Sequence, residues 1–90
     1  MVRYRIVLKN NTVEKNWSLF ARIIPDQMER CRKFLEETPE NRLLSGGKLK
    51  KLKGKLSGIL QYDLTGKARI HYRINHDEYT IYVEYIGQHP

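Results

Sequence analysis

Ninety residues with 17 Lys and Arg against 10 Asp and Glu, a formal charge of +7, give room for one domain that attracts polyanions: nucleic acid, a membrane surface or an acidic protein. With 40% of residues hydrophobic the composition is that of a folded chain, and no apolar run reaches the roughly eighteen residues of a membrane span. The opening Met1-Val2-Arg3-Tyr4-Arg5 lacks the apolar core of a signal peptide and Cys31 has no second cysteine to pair with, so a cytoplasmic protein is expected.

Residues 2–9 alternate, with Tyr4, Ile6 and Leu8 on one side and Arg3, Arg5 and Lys9 mostly on the other, which predicts a strand. Asn10-Asn11 ends it, and Asn11 followed by Glu14 has the spacing of a capping box, so a helix is expected to begin there. Val13, Trp17, Phe20 and Ile24 recur at helical spacing and are read as core. Pro25 closes this helix or opens the next, because it lacks the amide hydrogen a helix interior uses. The second helix carries Met28, Cys31, Phe34 and Leu35 on its apolar stripe and stops at Thr38-Pro39; Cys31 there is a small core hydrophobe without a chemical role.

From Ser45 to Gly58 the chain becomes a lysine run, with Lys48, Lys50, Lys51, Lys53 and Lys55 interleaved with Leu49, Leu52 and Leu56. Gly46, Gly47, Gly54 and Gly58 predict a basic loop pinned by leucines rather than a helix. Three alternating runs follow, Ile59 to Leu64, Ala68 to Asn75 and Tyr79 to Ile86, separated by short turn signals, as in an antiparallel meander. Ile70, Tyr72, Ile74, Ile81, Val83 and Tyr85 fall on the face expected to receive the helices. Gln61, Asp63, Arg69, His71, Arg73, Tyr82 and Glu84 fall on the other. The order strand, helix, helix, three strands predicts an α+β fold, a two-helix hairpin on one face of a mostly antiparallel four-stranded sheet.

A cationic, imidazole-bearing strand face is built to meet phosphate. Arg69 is the foremost candidate, since a planar guanidinium binds phosphate through two hydrogens at once and keeps its charge. The plain alternative is a solvated strand arginine paired with Glu84 or Asp63. The histidines lack zinc-site spacing, and no P-loop or Ser/His/Asp pattern is present, so no cofactor or metal is expected.

Three stretches together carry a resemblance: Leu52-Lys53-Gly54-Lys55-Leu56-Ser57-Gly58, Lys67-Ala68-Arg69-Ile70-His71-Tyr72-Arg73-Ile74, and Ile81-Tyr82-Val83-Glu84-Tyr85-Ile86-Gly87-Gln88-His89-Pro90. A Leu-Lys-Gly loop, an Arg-x-x-Tyr-Arg strand and a terminal Ile-Gly-x-His in this order resemble the RelE/ParE superfamily of bacterial toxins from type II toxin–antitoxin pairs. The resemblance spans essentially the whole chain and implies a RelE-like β-α-α-β-β-β fold.

It also implies a function on either of two branches: ribosome-dependent, metal-independent endoribonucleases that cut mRNA and inhibit translation, or ParE-like poisons of DNA gyrase. The RelE-like branch is the favoured expectation. On it, Arg69 matches the strand arginine that stabilises the phosphate, His89 the C-terminal histidine, and Lys53 a loop lysine able to reach the reacting group. Lys48, Lys50, Lys51, Lys55, His71 and Arg73 would hold RNA, and Tyr82 would stack on a base.

The implied partners are an antitoxin that forms a hetero-oligomer with the toxin, the ribosome and mRNA, with no membrane. Two departures stand out. The second predicted strand, Ile59 to Leu64, carries Gln61 and Asp63 where such nucleases often have basic residues, and the loop has no carboxylate to act as a base. Asp63 is open to two readings, a base or a partner that neutralises Arg69. A gyrase-directed toxin, an RNA-binding module that does not cut and a decayed toxin remain alternatives.

Overall fold

The structure, a computed structural model, describes residues 2–88. Strand β1 (Arg5–Leu8) leads into helices α1 (Asn11–Ile23) and α2 (Pro25–Glu37), followed by β2 (Leu49–Lys51), β3 (Leu60–Asp63), β4 (Ala68–Asn75) and β5 (Thr80–Gln88). The sheet has five strands in the order β1-β5-β4-β3-β2. β1 lies parallel to β5, and the remaining neighbours are antiparallel. The α+β expectation holds, with one strand more than expected. The extra one is β2, cut from the lysine run: Leu49 is buried and pairs with Tyr62, and Lys50 and Lys51 pair with Gln61 and Leu60. Open backbone on the edge of β3 recruits this segment, which the glycines on either side confine to three residues.

Helix α1 is capped one residue earlier than the capping-box spacing suggested. The Asn10 side chain accepts from the Val13 amide at 3.0 Å, which places Glu14 beyond the position from which it could reach back to the cap. Pro25 opens α2, and the Thr38 amide closes it on the Phe34 carbonyl. Val13 and Phe20 from α1 join Met28, Cys31, Phe34 and Leu35 from α2 over Tyr62, Ile70, Tyr72, Ile81, Val83 and Ile86 of the sheet, with Trp17 packed at the margin. Burial pushes the Cys31 thiol far above its ordinary range, so it is an inert core group. Tyr72 is fully buried and donates to the Pro39 carbonyl, which pins the chain leaving α2 to the sheet's centre.

Candidate functional site

With the hairpin on one face, the other face of the sheet is left open, and β4 runs through its middle. Arg69, His71 and Arg73 stand on this face. Register sets Asp63 beside Arg69 and Gln61 beside His71 on β3, then Lys50 beside Gln61 on β2. On the β5 side, Gly87 faces Arg69, Tyr85 faces His71 and Tyr82 faces Arg73.

This last register corrects the expectation that Tyr85 is a core residue. The pairing shifts between His71 and Tyr72, so that Tyr85 and Val83 face consecutive residues of β4 while Glu84 is left over. One extra residue reverses the alternation beyond it. Ile86 turns into the core, and Tyr85 turns onto the open face, 39% exposed, its ring 5.4 Å from the His71 ring and tilted by 44°. The Tyr85 hydroxyl donates to the Gln88 carbonyl at 2.9 Å, so the ring folds back over Gly87. A Cβ at Gly87 would lie 2.6 Å from the Tyr85 Oη, and only glycine leaves that space.

Gln61 is the centre of the arrangement. Although it belongs to the polar face it is only 4% exposed. Its Nε2 donates to Asp63 Oδ1 at 2.9 Å, and its Oε1 accepts from Arg69 Nη1 at 3.1 Å and meets His71 Nε2 at 3.1 Å. Asp63 is held in turn by Lys50, at 3.2 Å. The two readings of Asp63 resolve in one respect: the carboxylate pairs with Lys50, and the Gln61 amide stands between it and Arg69.

Arg69 therefore meets no carboxylate among the described residues, and its buried Nε has no hydrogen-bond partner there. Burial, then the charge of Arg69, lowers the pKa of His71 below its ordinary 6.5. Arg73 differs. Its Nε donates to Glu84 at 3.1 Å, and its Nη1 reaches over Gly58, whose φ of +89° suits a glycine. Tyr82 donates to Glu78 at 3.1 Å; that bond and the Glu78 charge push its phenol upward, so it remains protonated and offers a ring rather than a base. A shallow depression of about 610 Å³ lies between Arg73, Tyr82, Asn75 and Asp77.

The sheet thus brings together Arg69, His71, Arg73, Tyr82 and, through Asp63, Lys50. The other lysines are spread around its edge. Lys51 lines a cleft of about 340 Å³ with Glu40, Ile59 and Leu60. Lys48 borders a groove beside α2 with Arg30, Lys33 and Phe34, and Lys53 and Lys55 are exposed around the short turn after β2. His89 lies outside the described residues.

Sequence reasoning did not find Gln61, Tyr85 or Gly87. Alternation assigned Gln61 to the correct face, but its burial comes from neighbours on three strands. Tyr85 carried no local signal, because the bulge is a property of the pair β4 and β5. Among the described residues no group of three or more His, Cys, Asp or Glu is gathered that could hold a metal ion.

Chemically, the open face offers a guanidinium that no carboxylate neutralises, an imidazole that exchanges protons near neutral pH and two aromatic rings, a set able to bind a phosphodiester and move a proton.

No family model and no curated protein matches the sequence. Solved structures do share the fold. The chain is similar to the YoeB-YefM complex from Staphylococcus aureus, with a TM-score of 0.72 and 20% identity over 98% of this chain and 99% of that one. It is similar to the toxin–antitoxin complex RelBE2 from Mycobacterium tuberculosis, at 0.65 and 18% identity over 98% and 100% of the two chains. The YoeB/ParE toxin from Agrobacterium tumefaciens gives 0.68 and 17% identity over 96% and 99%. At these identities the likeness is one of fold, and it agrees with the RelE-like architecture expected from the sequence.

Proposed function

We propose that this chain is the toxin of a type II toxin–antitoxin pair in the RelE/ParE superfamily, and that it is a metal-independent endoribonuclease that cuts mRNA on the ribosome and so inhibits translation. The observation that carries this reading is Arg69: a cation on the open face of a RelE-type sheet, bonded to a neutral amide while the nearest carboxylate is taken by Lys50.

Cleavage by a ribose 2′-hydroxyl concentrates negative charge on the phosphorane oxygens, and a guanidinium already in place stabilises that charge without reorganising at the moment of reaction. Arg73 and Lys50, each paired with a carboxylate, flank Arg69 on the same face, and Tyr82 presents a ring on which a base stacks. Lys48, Lys51, Lys53 and Lys55 lie around the edge, where they attract a polyanion before it reaches Arg69. Lys53 and His89 retain the proton-transfer roles that the resemblance implies.

The solved YoeB-YefM and RelBE2 structures are toxin–antitoxin complexes, which supports an antitoxin as the partner here. No helix among the described residues is long and apolar enough to cross a membrane, in keeping with action on ribosomes in the cytoplasm.

The test is primer extension on mRNA in a reconstituted translating system, with wild type, Arg69→Ala and His89→Ala. Codon-phased cuts in the wild type that vanish with Arg69→Ala are expected. Intact mRNA with translation unhindered would overturn the nuclease reading, and DNA damage in cells expressing the protein would move it to the gyrase-directed branch.

A further inference from the structure

From the hydrogen bonds around Gln61 we infer that His71 is the general base of the cleavage, acting through Nδ1, and that Gln61 is the positioning residue that keeps that nitrogen free. The inference rests on the nuclease reading and names the base which that reading lacks.

The two ends of the Gln61 amide cannot change places. Arg69 has hydrogens to donate and nothing to accept with, so the group 3.1 Å from its Nη1 is the amide oxygen. The Asp63 carboxylate, paired with Lys50, only accepts, so the group 2.9 Å from its Oδ1 is the amide nitrogen. The oxygen thus fixed also faces His71 Nε2 at 3.1 Å, and a nitrogen bonded to a carbonyl oxygen must carry hydrogen. In a neutral imidazole only one nitrogen does so. Nδ1 is then left with its lone pair, and among the described residues it takes part in no hydrogen bond. Burial and the Arg69 charge both disfavour the imidazolium, so the ring is neutral at pH 7.

Placement fits the task. Arg69 and His71 are two residues apart on one strand, which sets their Cα atoms about 7 Å apart on a common face, and both side chains converge on one oxygen. A phosphate on the guanidinium therefore has the imidazole beside it, and the Tyr85 ring supports the imidazole from the β5 side.

In the step itself, His71 Nδ1 takes the proton of the 2′-hydroxyl and the 2′-oxygen bonds to phosphorus. The bond from phosphorus to the 5′-oxygen breaks in line, and that oxygen takes a proton from the acid that the nuclease reading supplies. Water then carries the proton held by His71 back to that acid. The products are a 2′,3′-cyclic phosphate and a 5′-hydroxyl, with no redox change and no net consumption of water.

The charged and titratable groups facing His71 are Arg69 and Arg73 on its own strand, Asp63 on β3, Lys50 on β2, and Glu84 and Tyr85 on β5.

The experiment measures single-turnover cleavage in the translating system between about pH 5 and pH 8 for wild type, His71→Ala, His71→Gln and Gln61→Glu, each confirmed folded by circular dichroism. The wild-type rate is expected to fall on the acid side with a midpoint below 6.5. His71→Ala should be about 10²–10⁴-fold slower, lose that acid limb and regain rate with added imidazole. His71→Gln, which keeps a donor for Gln61 but has no base, should be folded and equally slow. Gln61→Glu sets a carboxylate against the ring, favours the imidazolium and should move the acid limb to higher pH, an effect that a merely structural glutamine would not produce. Cleavage by His71→Ala within about threefold of wild type, with the acid limb in place, would overturn the assignment of the base alone. A wild type that cuts no mRNA would overturn the nuclease reading and the base with it.

Discussion

Two arginines of one strand, four positions apart and on one face, are in opposite chemical states. At the Arg73 end the cation meets a carboxylate: Arg73 pairs with Glu84, while Tyr82 and Asn75 both donate to Glu78. At the Arg69 end the carboxylate that register places alongside is diverted to Lys50, and an uncharged amide takes its place. A cation in contact with a carboxylate must give up that contact to meet phosphate, whereas one held by an amide is oriented and keeps its full charge for the ligand. Position on the strand makes the two arginines equivalent; the neighbours across the sheet make one a surface ion pair and the other a candidate for the reacting centre.

The largest expected effect that would break this contrast is on catalysis. Arg69→Ala should slow mRNA cleavage about 10²–10³-fold, and Arg73→Ala should change it by less than about fivefold; equal losses in the primer-extension assay would erase the distinction. Next comes the hub. Gln61→Ala leaves Arg69 and Asp63 without their amide partner in a buried site and should cost about 1–3 kcal/mol in urea denaturation, with an unchanged midpoint counting against the network.

Gly87→Ala sharpens the comparison from the other side. The new Cβ would lie 2.6 Å from the Tyr85 Oη and 2.9 Å from its Cζ, so the ring must shift beside His71. Because that ring is part-exposed, the loss of stability should be about 1 kcal/mol, with a shift of the His71 ring resonances in an NMR spectrum. The smallest effect belongs to Glu84→Gln, which releases Arg73 at a cost below about 1 kcal/mol and should tighten RNA binding at low salt while leaving the Arg69 end unaltered.

Much of the molecule was readable from residue order, though not evenly. The helical stripes of Val13, Trp17 and Phe20 and of Met28, Cys31, Phe34 and Leu35 became the core, because amphipathic periodicity is a local property that packing only has to accept. The open face was readable too, since Arg69, His71 and Arg73 alternate with Ile70 and Tyr72. The site's working parts were less so. The helix cap fell on Asn10 rather than Asn11, a choice between adjacent residues able to play the same part. The lysine run carries the glycines of a loop, yet part of it is strand because β3 offers a free edge.

The sequence by itself determined the two helices, four of the five strands and which strand face is cationic, because side-chain direction in a regular element follows from its period. Only the tertiary structure decided that Tyr85 stands beside His71, that Gln61 is buried on a polar face and that Asp63 serves Lys50 rather than Arg69. The reason is common to all three. Each depends on pairing between strands, where a single bulged residue reverses the alternation and where a side chain's partner is whatever the neighbouring strand sets opposite it.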